Sequence, residues 1–217
     1  MKKIVGVMPI KLNNERLPGK NIRLLGNKPL LQYGLNTLSK SQRMTEIYVF
    51  CSKDAIKDYL IDGVSFLKRP EFLDLPSSNF TQIFEVFSKM VDADIYVYAH
   101  ATAPFIKVNT INQCIDAVIS EEYDSAFTAT KIQDFLWKDG KPLNFEQKNL
   151  PRSQDLMPIY RETSGIYVFT KEVFSRYHAR IGEHPLIKEV DFKEAVDINT
   201  IEDFELAQLF IQNRGSI

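Results

Sequence analysis

The chain has 217 residues, 44% of them hydrophobic, and its 27 basic and 28 acidic side chains leave a net charge of −1. That is length for one α/β domain with room for an extension, and the charge balance offers no global attraction to nucleic acid or an anionic membrane. No apolar run approaches the ~20 residues of a membrane span, and Cys51 and Cys114 are too far apart to suggest a metal site.

Lys3 to Ile10 reads as a fully buried strand that empties into a polar, turn-rich loop, Lys11 to Asn21. The loop carries Lys11, Arg16 and Lys20, with Pro18-Gly19 bending the chain before the last cation. Exposed amides and three cations at the carboxyl edge of a sheet suit a polyphosphate. A solvated basic loop fits the local composition equally. Ile4 to Ile10 is too short for a signal sequence, and both cysteines sit in apolar runs as free thiols. The expectation is a soluble, cytoplasmic protein.

Leu31, Leu35 and Leu38 recur at helical spacing after Pro29. Glu46 to Cys51 is a strand that exits into Ser52-Lys53-Asp54. Ala55 to Leu60 reads as a short helix and Val64 to Lys68 as a strand closed by Arg69-Pro70. Ile83, Phe84, Phe87 and Met90 form a helical stripe within Phe80 to Met90. Asp94 to Ala99 is a strand, Val108 to Ile119 a helix and Ser125 to Thr130 a strand. This alternation predicts a mostly parallel α/β sheet.

The pattern breaks from Gln133 to Arg161, a polar stretch with a hairpin turn at Lys138-Asp139-Gly140-Lys141. Gly165 to Thr170 restores a strand, a helix follows through Phe174, and Val190 to Ile198 reads as extended chain. Ile201 to Gln212 is a helix capped by Thr200, with Asp203 three residues on. Trp137 and the Tyr-rich strands read as core or interface.

Four strand ends carry polar groups: Lys11 to Asn21, Ser52 to Asp54, His100 to Thr102, and Asp197 to Asn199. In a parallel sheet they converge on one edge. Asp197 and Asn199, two apart in extended chain, face the same way and suit Mg²⁺ bound together with phosphate oxygens; a strand end leading to a helix cap is the alternative.

Taken in order, the motifs resemble those of the CMP-N-acylneuraminate synthetase family, also called acylneuraminate cytidylyltransferases. Its Ile-Pro-Ala-Arg and Leu-Pro-x-Lys-Asn resemble Met8-Pro9-Ile10-Lys11 and Leu17-Pro18-Gly19-Lys20-Asn21. Its Ser-Thr-Asp is similar to Ser52-Lys53-Asp54, its Arg-Pro to Arg69-Pro70, and its Leu-Gln-Pro-Thr-Ser-Pro-Leu to Ala99 through Phe105. Pro151-Arg152, Arg161 and Thr163-Ser164-Gly165-Ile166-Tyr167 resemble a Pro-Arg, an Arg and Asn-Gly-Ala-Ile-Tyr. Val196-Asp197-Ile198-Asn199-Thr200 resembles Ile-Asp-Ile-Asp-Thr.

The resemblance implies a three-layer α/β nucleotidyltransferase fold over residues 1–217, with an arm at about 132–160 serving a homodimer. It implies transfer of CMP from CTP to the hydroxyl of a 2-keto sugar acid, with Mg²⁺ as cofactor and no nucleic acid or membrane partner. Lys11, Lys20 and Asp197 take the catalytic positions. Pro9, Lys11, Asn14, Lys20, Asn21, Arg69 and Thr102 surround the nucleotide, with Asn21 and Arg69 reading the cytidine. His100, Arg152, Arg161, Thr163 and Tyr167 surround the sugar, and Asp197 and Asn199 hold the metal. Lys11, Asn199 and His100 stand where the family has Arg, Asp and Gln. These departures leave open another sugar acid of the 3-deoxy-octulosonic type, or a catalytically weak nucleotide-binding homologue.

Overall fold

A computed structural model describes residues 2–213. Its strands and helices are, in order, β1 (Ile4–Ile10), β2 (Leu24–Leu25), β3 (Lys28–Pro29), α1 (Leu30–Ser39), β4 (Glu46–Cys51), β5 (Ser65–Lys68), α2 (Phe80–Met90), β6 (Ile95–Ala99), α3 (Val108–Ile119), β7 (Ser125–Ile132), β8 (Trp137–Lys138), β9 (Lys141–Pro142), β10 (Ile159–Thr170), α4 (Lys171–Tyr177), β11 (Pro185–Glu189) and α5 (Ile201–Gln212).

Seven strands form one mixed sheet in the order β11-β7-β10-β6-β1-β4-β5. β10 alone runs against its neighbours, β6 and β7. The others therefore point their carboxyl ends to one edge. Side chains alternate across the strands into two cores. Met8, Val49 and Val97 pack with Leu31, Leu35 and Leu38 of α1 and Ile111 and Ile115 of α3. Val7, Phe50, Tyr96 and Phe169 pack with Phe84 and Phe87 of α2 and Val173 of α4. The result is the three-layer α/β fold expected.

The connection from β1 through α1 to β4 steps one way along the sheet, and the one from β5 through α2 to β6 returns to the other side of β1. The strand order reverses between β1 and β6, where open α/β sheets bind ligands. Pro9 helps to open this point. β1 pairs with β6 only as far as Val7↔Tyr98, but with β4 on to Ile10↔Cys51. Proline has no amide to give to a second ladder.

Three expectations need correction. The segment 133–161 is not loop to its end: β10 already pairs at Ile159↔Ile132. After half-buried Ile159 its first residues, Tyr160, Arg161 and Glu162, are exposed, so no apolar alternation reveals them. Val190 to Ile198 is not extended throughout. Asp191 Oδ1 accepts from the Glu194 amide at 2.8 Å and closes a turn, tied to α3 by the ion pair of Lys107 with buried Glu194. The strand here is the half-exposed edge β11, which begins at Pro185. Ala55 to Leu60 is instead a 3₁₀ helix, Asp54–Tyr59.

Lys138 to Lys141 makes the expected hairpin, with Asp139 and Gly140 at φ 51° and 74°. Trp137 on this hairpin is 54% exposed, so the core reading is excluded for it. Both cysteines are free and buried. Among the described residues no helix is long and apolar enough to cross a membrane.

Candidate active site

Three segments meet where the strand order reverses: the 11–21 loop after β1, the 100–105 loop after β6, and residues 196–199 before α5. Lys20 Nζ donates to the Ile198 carbonyl at 2.8 Å, and the Ile198 amide donates to the Thr102 carbonyl at 2.8 Å. One residue thus ties the other two segments together. Gly19, at φ 64°, turns the chain so that Lys20 points inward. Asn21 Nδ2 donates to the Lys11 carbonyl at 2.9 Å and closes the base of the first loop. That engages the amide nitrogen of a residue expected to read cytidine.

The capping box of α5 fixes the third segment. Asp203 Oδ2 accepts from the amides of Asn199 and Thr200 at 2.8 and 2.9 Å. Burial pushes the Asp203 pKa up, but these amides, the Thr200 hydroxyl and the Lys20 charge outweigh it and leave it below the usual value. Lys20 is 7% exposed. Burial lowers its pKa, opposed by Asp197 and reinforced by Arg16.

Asp197 and Asn199 share a face, as expected. Asn199 Nδ2 donates to Asp197 Oδ2 at 2.6 Å, and Asn199 Oδ1 accepts from Arg16 Nη2 at 2.7 Å. The other carboxylate oxygen, Asp197 Oδ1, is buried with no hydrogen-bond partner among the described residues, as is Asn14 Oδ1 in the first loop. Such atoms are costly unless something else meets them. Asp197, Asp203, Arg161, Thr163 and Ser164 line a cavity of about 320 Å³. Lys11, Asn14, Arg16 and Lys20 line another of about 260 Å³. A further cavity, about 500 Å³, lies at the opposite, amino edge of the sheet, among Asp94, Glu121, Asp124 and His184, away from these groups.

On the β4 side Arg69 is 3% exposed. Its Nε and Nη2 bond Asp74 Oδ1 at 3.2 and 2.5 Å, and Asp74 Oδ2 accepts from the Ser52 hydroxyl at 2.5 Å. The guanidinium is fixed at the exit of β5, two of its nitrogens on one Asp74 oxygen, and Ser52 ties that carboxylate to the exit of β4.

On the β10 side the pairing with β7 passes from Glu162↔Ala129 to Tyr167↔Phe127. Four residues of β10 therefore stand opposite one of β7, a wide bulge with Ser164 at φ 56°. Thr163 anchors it: its hydroxyl lies 2.7 Å from the Thr128 hydroxyl. That bond is internal, which leaves the Thr163 side chain less free for a sugar. Tyr167 is buried, and its hydroxyl donates to Glu162 Oε2 at 2.6 Å. His100 packs edge-on to Tyr98, 5.3 Å between centroids, and its Nε2 is buried without a partner among the described residues. Burial first, then the Arg180 and Lys20 charges, lowers its pKa to about 4, so it is neutral at pH 7.

The structure thus brings Pro9, Lys11, Asn14, Lys20, Asn21, Thr102, Asp197, Asn199, Arg161 and Thr163 to the meeting point of these segments. His100 and Tyr167 stand just beyond on the α2 face, and Arg69 at the next strand exit. Arg152 is apart: it lies exposed on the arm, bonded to Asp155 at 2.7 and 3.0 Å. Sequence reasoning missed Arg16 as the partner of Asn199. It also missed Arg180, which stacks on Tyr167 and has no periodicity or motif to distinguish it from a solvated arginine.

A mixed sheet whose reversal point carries a basic loop on one side and a half-buried acidic residue on the other is the architecture of an α/β nucleotidyltransferase. The cytidylyltransferase family profile matches residues 5–216, and the chain belongs to that family. It is 24% identical over 202 residues to N-acylneuraminate cytidylyltransferase A of Danio rerio, a match covering 88% of this chain and 47% of that protein. The chain therefore spans about half the length of that relative. It is 22% identical to the pseudaminic acid cytidylyltransferase of Campylobacter jejuni, covering 94% of both chains. The fold matches the structure of CMP:2-keto-3-deoxy-manno-octonic acid synthetase complexed with CTP at TM-score 0.74 and 16% identity, over 97% of this chain and 99% of that one.

Proposed function

We propose that the chain transfers CMP from CTP to the hydroxyl of a 2-keto sugar acid of the nonulosonic type and releases pyrophosphate. The observation that carries this reading is the partnerless, buried Oδ1 of Asp197, held beside Lys20 by the Ile198 tie. A cation satisfies that oxygen. Among the described residues no three His, Cys, Asp or Glu side chains converge to hold a metal. That suits Mg²⁺, which takes few protein carboxylates and completes its shell with phosphate and water. Asp197 would hold it, with the second lone pair of the Asn199 carbonyl, whose first accepts from Arg16, beside it. When bound, Mg²⁺ neutralises phosphate charge and polarises the phosphates.

The chain's own residues supply position and charge. The sugar hydroxyl oxygen bonds to the α-phosphorus, the α–β phosphoanhydride bond breaks, pyrophosphate leaves and the hydroxyl proton passes to solvent. Lys11 and Lys20 hold the triphosphate and stabilise charge developing on the α-phosphoryl oxygens. Asn14 Oδ1 is an unspent acceptor for a nucleotide hydroxyl. Arg69, braced by Asp74, stands where a cytidine sits. Arg161 lines the Asp197 cavity and suits the sugar acid's carboxylate. The arm exposes Trp137, Leu143, Leu150 and Met157, the last at 80%, which supports the homodimer reading.

Pyrophosphate release from CTP and Mg²⁺, with an N-acylneuraminic acid, pseudaminic acid and 3-deoxy-manno-octulosonic acid in parallel, tests the reading. Turnover with one of the two nonulosonic acids supports it. Turnover with the octulosonic acid alone moves the substrate to that class. CTP binding without turnover favours the nucleotide-binding homologue that Lys11 and Asn199 keep open.

A further inference from the structure

Arg180 follows α4, whose end is marked by His178 at φ 50°. Arginines on such exits ordinarily extend into water. This one folds back onto the Tyr167 ring, 3.6 Å from its centroid, with the Phe80 ring at 5.5 Å. Its Nη2 donates to the Tyr167 hydroxyl at 2.9 Å, and that hydroxyl donates to Glu162. Glu162 Oε2 itself is 3.8 Å from Nη2, and the Arg180 side chain keeps 26% of its surface exposed. Among the described residues Nε and Nη1 have no hydrogen-bond partner. The guanidinium is held on one side and open on the other. A group fixed in this way binds at little further cost in rotamer entropy.

Its place along the edge decides what it can meet. Neighbouring strands lie ~4.8 Å apart, so β10 is roughly 10 Å from β1, with β6 between them. Lys20 and Asp197 mark the reacting end. His100 follows, with its unpartnered Nε2 and its ring 6.1 Å from Tyr167, and then Arg180. In a cyclic 2-keto sugar acid the attacking hydroxyl and the carboxylate share one carbon, so both belong near Lys20, Asp197 and Arg161. The rest of the sugar runs on along the edge toward His100 and Arg180.

We propose that Arg180 is a specificity-determining residue for the acceptor, donating hydrogen bonds to hydroxyl or acyl oxygens on the part of the sugar remote from the reacting hydroxyl. The inference rests on the sugar-acid reading of function. An acceptor lacking those oxygens covers Nε and Nη1 without giving them partners and is rejected. Tyr167 and Glu162 act through Arg180 as positioning residues.

The test is steady-state pyrophosphate release with Mg²⁺, CTP and whichever of the three acids named above the wild-type chain uses best. Arg180→Gln is expected to raise the KM for that acid roughly 10- to 100-fold, the scale of a lost charge-assisted hydrogen bond. The KM for CTP stays within about twofold and kcat changes little, the mark of lost acceptor binding alone. Arg180→Lys keeps the charge without the fork and recovers part of the loss; Tyr167→Phe shifts the same KM by less. An unchanged acid KM in Arg180→Gln overturns the inference alone. So does a common fall of kcat and rise of both KM values with a lowered Tm in Arg180→Gln and Arg180→Lys, which marks a packing arginine. A wild-type chain that turns over none of the acids overturns the functional reading, and this inference with it.

Discussion

Replacing His100 by Gln removes a titrating ring whose environment sets a definite pH dependence. In the folded chain the ring is packed by Tyr98 and Tyr167, and burial together with the Arg180 and Lys20 charges lowers its pKa from 6.5 to about 4. The unfolded chain takes up this proton near pH 6.5, whereas the folded chain does so only near 4. Folding stability therefore falls as the pH drops through that window. At ~1.4 kcal/mol per unit the gap amounts to about 3 kcal/mol in full, and about 2 kcal/mol is already lost by pH 5. The carboxylates whose pKa values lie below normal, such as Asp54 at about 2, withdraw their contribution at lower pH, below the ordinary carboxylate range.

Urea midpoints for wild type and His100→Gln at pH 7 and pH 5 measure this directly. The substitution also removes ring contacts, so its effect at pH 7 is destabilising. The informative quantity is the difference between the two pH slopes. Wild type should lose about 2 kcal/mol more than the variant between pH 7 and pH 5. Equal slopes would show that the ring takes up its proton in the folded state as easily as in the unfolded one, and the account of this site as dry and cationic would fail.

Other substitutions probe the neighbouring ties. Lys20→Met leaves the buried Ile198 carbonyl without its donor and should lower stability by about 1–3 kcal/mol while weakening CTP binding at least tenfold, read by urea unfolding and calorimetric titration. Asn199→Asp sets a second carboxylate beside Asp197 and removes an amide donor, so its Tm should fall without divalent cation and rise more than wild type on adding MgCl₂. Asp74→Ala strands the Arg69 guanidinium, 3% exposed, without its partner and should cost about 3–5 kcal/mol in chemical denaturation. Gly165→Ala brings a Cβ to 2.7 Å from Ile106 Cδ1 and 3.1 Å from Thr128 Oγ1; thermal unfolding should report about 1–3 kcal/mol lost as the bulge shifts.

These sites differ in how far the sequence exposes them, and the reason is the range of the interaction involved. The capping box of α5 is written in adjacent residues, Thr200 and Asp203, and the helix begins where they predict. Phe84 and Phe87 announce the buried face of α2 by spacing alone. β11 and the start of β10 leave no such trace, because a half-exposed edge and a polar strand end owe their pairing to β7. The site divides the same way. Lys11 and Lys20 are visible as cations in the loop after a strand, and Asp197 and Asn199 as a polar pair just before a helix cap. That Asn199 bonds Arg16, 183 residues away in sequence, is a property of the closed sheet.

The same distinction explains why the proposed acceptor end is harder to read than the proposed nucleotide end. Lys20 Nζ reaches the Ile198 backbone carbonyl, and the Ile198 amide reaches the Thr102 carbonyl, so this tie rests mainly on backbone groups. The far end depends on side chains alone: Arg180 on Tyr167, Tyr167 on Glu162, and Thr163 on Thr128. Side-chain contacts can change one residue at a time without disturbing the sheet. On the proposed function, a fold that ties its reacting end mainly through backbone groups and its acceptor end through side chains can exchange one sugar acid for another while leaving the phosphate chemistry in place.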